Sequence, residues 1–125
     1  GAQMRPNIDI QDITDCYMFL LQAPTEKMGG QVFNISCSNY SVMQIAQTIK
    51  NVVGEQVRIE RTEVPNLTSY PMVAEKIRRV LGFAPKRSLE ATVAGLKLAF
   101  ESGKIPNPSS DIYQNIKIME KLRLE

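Results

Sequence analysis

The sequence predicts an α/β chain: amphipathic helices with a few short strands between them. Apolar residues recur at helical spacing in several separate stretches, short alternating runs fall between those stretches, and Gly or Pro marks most of the junctions.

Arg5 to Ile10 places Ile8 and Ile10 on alternate positions, which is compatible with a strand. Asp12 stands where a helix cap is wanted. Beyond it Ile13, Cys16, Tyr17, Leu20 and Leu21 repeat at helical spacing until Pro24. Gly29-Gly30 marks a turn, and Gln31 to Ile35 reads as a buried strand. Ser41 with Gln44 forms a capping box, in which each residue satisfies a backbone donor of the other. It opens a helix whose face is Val42, Ile45, Ala46, Ile49, Val52 and Val53, ended by Gly54. Val57 to Glu60 alternates as a further strand, and a loop runs from Arg61 to Tyr70.

Val73 to Leu81 is predicted as a helix closed by Gly82, and Ser88 caps the next, which carries Leu89, Val93, Leu96 and Phe100. A glycine inside a helix costs about 1 kcal/mol relative to alanine, so Gly95 points to close helix packing. Lys104 to Ser110, with Pro106 and Pro108, reads as a linker. Ile112, Ile116, Met119 and Leu122 mark a last amphipathic helix over residues 111–125.

The 125 residues suit one domain, and 43% hydrophobic with 22% charged residues is ordinary for a soluble globular protein. No apolar run is long enough to span a membrane and no charged-then-apolar leader is present, so the expected compartment is the cytoplasm. Cys16 on an apolar stripe and Cys37 in a loop suit a reducing environment. Without a secretion signal, the Asn-x-Ser/Thr triplets at Asn34, Asn39 and Asn66 read as chance.

The chain contains no histidine. That removes His-based acid–base catalysis, His-dependent triads and common zinc sites, and two cysteines are too few for a thiolate zinc site. A formal charge of +2 does not argue for nucleic acid.

Three landmarks in order carry a resemblance. Gly1-Ala2-Gln3-Met4-Arg5, with Ile8, Ile10 and Asp12, keeps a frame like G-x-Q-x-R-x-x-I-x-V-x-D. Val32-Phe33-Asn34-Ile35-Ser36 precedes the Ser41 cap. Tyr70, Lys76, Leu81-Gly82-Phe83-Ala84-Pro85 and Ser88-Leu89-Glu90 follow. Together they resemble the C-terminal part of NAD-dependent sugar-nucleotide epimerases and dehydratases, the extended short-chain dehydrogenases. The likeness covers about residues 1–103.

The resemblance implies a small C-terminal substrate-binding lobe over residues 1–103, without the Rossmann half. Residues 104–110 would be a linker and 111–125 a terminal helix. It implies that Arg5 contacts the pyrophosphate of a nucleotide sugar, a role suited to a guanidinium fork. On the residues alone, Arg5 reads more readily as an exposed arginine near Asp9 or Asp12. Asn66 and Tyr70, in the loop that holds the nucleotide in such proteins, complete the implied substrate-binding set. This chain departs from the pattern in two places. No arginine follows Arg61 in the loop, and Ser36 and Ser38 stand where glycines are usual.

The family's cofactor turn, G-x-x-G-x-x-G, is absent from these residues. Tyr113 and Lys117 satisfy Tyr-x-x-x-Lys but lie beyond the likeness, and the spacing reads as coincidence. The expectation is therefore no catalytic, cofactor-binding or metal residue in this chain, with NAD(P) held elsewhere in a complete enzyme.

Two other readings stand beside this one. Lys76, Arg78, Arg79, Lys86 and Arg87 form a basic cluster around the Leu81-Gly82 turn, either a solvated helix face or a helix-turn-helix-like nucleic-acid surface. Alternatively the fold is a stand-alone interaction module. It would self-associate, or recruit a partner chain, through exposed Ile13, Tyr17, Leu20 and Val32 to Ile35.

Overall fold

The structure, a computed structural model, describes residues 1–63 and 68–123. The chain divides into two compact units, Gly1–Ala94 and Gly95–Glu125. It is a small mixed arrangement of helices with one two-stranded antiparallel sheet.

In the first unit, β1 (Met4–Asn7) leads into α1 (Ile10–Gln22) and a single turn, α2 (Thr25–Met28). Then come β2 (Ser38–Ser41), α3 (Val42–Val53) and α4 (Glu75–Leu81). The last helix, α5 (Leu89–Glu101), begins in this unit and continues into the second. β1 and β2 pair with Met4 opposite Ser41, Arg5 opposite Tyr40, Pro6 opposite Asn39 and Asn7 opposite Ser38.

The helix caps follow the chemistry of the sequence, with one correction. Asp9, not Asp12, caps α1: its carboxylate accepts from the Gln11 N–H at 2.7 Å. Asp12 lies a turn inside the helix and is buried. The cap moves back because β1 leaves its ladder at Asn7, and Asp9 is the first acceptor to reach the bare α1 donors. At α3 the capping box forms as expected, with Gln44 N–H on Ser41 Oγ at 3.1 Å and Ser41 N–H on Gln44 Oε1 at 2.7 Å. Ser88 Oγ accepts from the Ala91 N–H at 3.2 Å at the start of α5.

Two predicted strands do not form. Gln31–Ile35 and Val57–Glu60 have no ladder partner among the described residues, and the second strand is Ser38–Ser41. β-propensity marks a side chain that fits a pleated surface; a ladder also needs a neighbouring backbone, which only Ser38–Ser41 finds, on β1. The helix expected from Val73 begins at Glu75.

The core of this unit is Cys16, Ile77 and Phe83, with Phe19, Leu20, Phe33, Ile35, Ala74 and Leu81 packed against it. Full burial of a side chain like that of Ile77 contributes about 1.5–3 kcal/mol. Phe83 reaches this core because Gly82 ends α4 in the left-handed conformation, at φ 83°. Its ring meets Phe19 with centroids 5.5 Å apart.

Asp12 holds the chain just beyond that turn. Its carboxylate accepts from the backbone N–H groups of Lys86 and Arg87 at 3.2 and 3.0 Å, and from Arg87 Nη1 at 2.7 Å. Asp15 takes the same Nη1 at 2.8 Å, and Asp9 accepts from the Thr92 hydroxyl at 2.6 Å. The acidic first turns of α1 thus clamp the segment that opens α5.

The second unit holds the end of α5, a 3-10 turn over Asp111–Tyr113 and α6 (Asn115–Leu122). A Cβ at Gly95 would meet nothing within 4 Å, so the close packing expected there is not found. Extended backbone at Gln114 separates the 3-10 turn from α6, which shortens the terminal helix expected over 111–125. It also leaves Tyr113 and Lys117 in different elements. Lys117 and Lys121 instead reach Asp111 at 3.1 and 2.8 Å.

Candidate functional site

β1 presents Arg5 where the segment preceding α4 passes the sheet. That segment is tied to both strands. Ser69 Oγ accepts from the Met4 N–H at 2.9 Å, and the Tyr70 N–H donates to the Met4 carbonyl at 3.3 Å. Further on, the Asn39 amide on β2 pairs with Met72 as a strand would, donating to its carbonyl at 2.9 Å and accepting its N–H at 2.8 Å.

Held this way, Tyr70 lies against Arg5. The guanidinium carbon is 4.3 Å from the Tyr70 ring centroid, within cation–π range. Arg5 Nη1 donates to the Met4 carbonyl at 2.9 Å and the Thr68 carbonyl at 2.7 Å. The two carbonyls and the ring fix the guanidinium plane. Among the described residues Arg5 has no carboxylate partner, and neither Nε nor Nη2 has a hydrogen-bond acceptor. Asp9 and Asp12, the carboxylates near Arg5 in sequence, take Thr92 and Arg87 instead.

Of the residues implied for substrate binding, Arg5 and Tyr70 come together, and Tyr70 is 55% exposed. Asn66 lies outside the described residues. Ser69 and Thr68, which position the pair, carry no mark in the sequence. Their contacts are 63 to 65 residues distant along the chain, and no local pattern announces them.

The basic cluster around the Leu81-Gly82 turn is largely engaged with its own chain. Arg87 is held by Asp12 and Asp15, and Arg78 pairs with Glu75 at 2.8 Å. The Lys76 ammonium donates to the Val32 carbonyl at 2.9 Å and lies 4.9 Å from the Phe33 ring centroid. Arg79 and Lys86 remain exposed.

Electrostatics separates these two regions. Arg87, followed by Gln11, holds the Asp15 carboxyl below its ordinary range, while Thr92, followed by the Gln11 N–H, does the same for Asp9. Asp15 and Asp12 in turn raise Arg87. Burial pushes the Cys16 thiol up, away from the reactive thiolate. Cys37 donates to the Arg87 carbonyl at 3.3 Å, and neither cysteine is in a disulfide.

Concave surface in the first unit is lined by other residues. One cavity of about 50 Å³ lies among Asn7, Asp9, Tyr40, Arg87 and Thr92, and an open cleft of about 360 Å³ runs past Ser36, Asn39, Glu75, Arg78 and Phe83. Asp9 and Thr92, which line the smaller, are hydrogen-bonded to each other. No group of three or more His, Cys, Asp or Glu side chains that could hold a metal occurs among the described residues. No helix among them is long and apolar enough to cross a membrane.

Comparison with protein-family models, with curated proteins and with solved structures finds no match to this chain.

Proposed function

We propose that this chain is the nucleotide-sugar-gripping portion of an NAD(P)-dependent epimerase or dehydratase, not catalytic by itself. The observation that supports this reading most is the state of Arg5: oriented by two carbonyls and a ring, yet without an anionic partner among the described residues. A fixed guanidinium with N–H groups to spare suits a phosphate oxygen, which it meets through paired, charge-assisted hydrogen bonds.

In this reading Arg5 takes the pyrophosphate, with Tyr70 and Asn66 alongside. Tyr70 also fixes the plane of the fork, its ring centroid 4.3 Å from the guanidinium carbon. Gripping the nonreacting end orients the sugar toward a nicotinamide held by the rest of the enzyme, so that binding energy supports the chemical step. The cofactor supplies the hydride; Arg5 and Tyr70 supply position.

Calorimetric titration of the chain with a uridine diphosphate sugar tests this. Arg5→Ala is expected to weaken binding about tenfold to a hundredfold, the worth of one charge-assisted pair, while costing under about 1 kcal/mol of stability. No binding, or binding indifferent to Arg5→Ala, contradicts the reading.

The interaction-module reading has one observation in its favour. Ile10, Tyr17 and Leu21 form an exposed stripe along α1, at 75%, 66% and 80% exposure. Of the residues expected on such a surface, Tyr17 is exposed, whereas Leu20 packs on the core and Ile13 is half-buried.

A further inference from the structure

Tyr70 is held against Arg5 from both directions along the chain, and the two holds differ in strength. The Tyr70 N–H reaches the Met4 carbonyl at 3.3 Å, long for a bond whose usual length is about 2.9 Å. Two residues on, Asn39 Nδ2 donates to the Met72 carbonyl at 2.9 Å and Asn39 Oδ1 accepts the Met72 N–H at 2.8 Å. One side chain thus binds both Met72 backbone groups, and neither group has a backbone partner among the described residues.

The ladder explains why a side chain is needed there. Asn39 stands opposite Pro6 in the pairing of β1 with β2. Proline has no N–H, so β1 offers no donor at that position to a segment passing it. An asparagine amide carries both a donor and an acceptor, as a peptide group does, and supplies what the backbone lacks.

The hold at Met72 reaches Tyr70 through Pro71. A proline ring fixes its own φ at about −65° and keeps the residue before it out of the helical region. With those torsions confined, a displacement of Met72 moves the Tyr70 ring instead of being absorbed between the two. The ring matters because both carbonyl bonds of Arg5 come from one nitrogen, Nη1. Without the ring 4.3 Å away, the guanidinium plane can swing about that nitrogen.

We infer that Asn39 is a positioning residue for the Arg5–Tyr70 pair. It acts through the Met72 backbone and sets where the Tyr70 ring lies against the guanidinium. For the ligand, the inference rests on the function proposed above; for the geometry of the free chain it does not.

Two measurements separate geometry from ligand. In the free chain, a ring face against the guanidinium shifts the Arg5 side-chain protons upfield in NMR, and Tyr70→Leu sets their value without the ring. Asn39→Ala should lose most of that upfield shift while the Arg87 protons stay in place. Asn39→Asp keeps an acceptor for the Met72 N–H and loses only the donor, so it burdens folding less. The same loss of shift is expected from it.

Calorimetric titration with uridine diphosphate glucose reads the consequence. Asn39→Ala should weaken binding about fivefold, the worth of one net hydrogen bond. Tyr70→Leu should weaken it to a similar degree, and the double variant no further than Tyr70→Leu, because Asn39 acts through the ring.

An Arg5 shift unchanged in both Asn39 variants overturns the inference. Loss of folding in both does so too, since Asn39 is then structural, as do losses that add in the double variant. If the parent chain fails to bind the sugar, the proposed function falls while the Arg5 shift still decides the role of Asn39.

Discussion

Arg5 and Arg87 are both half-buried arginines in the first unit, and their surroundings differ in kind. Arg87 is held by two carboxylates on α1, and its own backbone N–H is bound to one of them. Arg5 meets carbonyls and an aromatic ring, with no carboxylate among the described residues. The Arg87 charge is compensated within the chain and its geometry is structural. The Arg5 charge is oriented without a carboxylate among the described residues, and in the function proposed above it takes an anion. Position near a turn or within a basic cluster does not separate the two; their partners do.

Asp12 should matter more to stability than Arg5. Asp12→Ala removes the acceptor for two backbone N–H groups and for Arg87 and is expected to cost about 3 kcal/mol in urea denaturation. Arg5→Ala, read by the same method, should cost under about 1 kcal/mol, since it loses one exposed and one part-buried carbonyl contact and a ring contact, with no buried charge left unpaired. Similar losses for the two variants would make both corners structural.

A smaller effect sharpens the contrast through pH. Asp9 and Asp15 have carboxyls held below their ordinary value of 3.8. The folded chain therefore binds fewer protons than the unfolded one as pH falls. The stability these groups contribute is complete above that value and is lost as pH drops through their lower folded values. The unfolding midpoint should hold down to about pH 5 and fall below about pH 4. Asp15→Asn should flatten that fall, whereas Arg5→Ala should leave its shape alone. An acid transition unaltered by Asp15→Asn would remove the electrostatic account of the clamp.

Much of the helical framework was legible in the sequence. The Ser41–Gln44 box, the Gly82 stop and the Ser88 cap all act through bonds within a few residues, so local pattern suffices to find them. Strand position was less legible. Gln31–Ile35 has the better strand composition, but Ser38–Ser41 has the neighbour, and a neighbour more than thirty residues away leaves no local mark. Asp12 shows the same limit: its role is set by Lys86 and Arg87, 74 and 75 residues on. At the candidate site, Arg5 and Tyr70 were legible only through the family resemblance. Their contact depends on Ser69 and Thr68 docking on β1, which nothing local encodes.

The most direct test of the central claim is to map a uridine diphosphate sugar onto the chain by amide and arginine side-chain NMR shifts. The account predicts that the largest changes fall on Arg5, Ser69 and Tyr70, with Arg87 and its neighbours unmoved. Changes centred on Arg79, Lys86 or Arg87, or no changes at all, would contradict it.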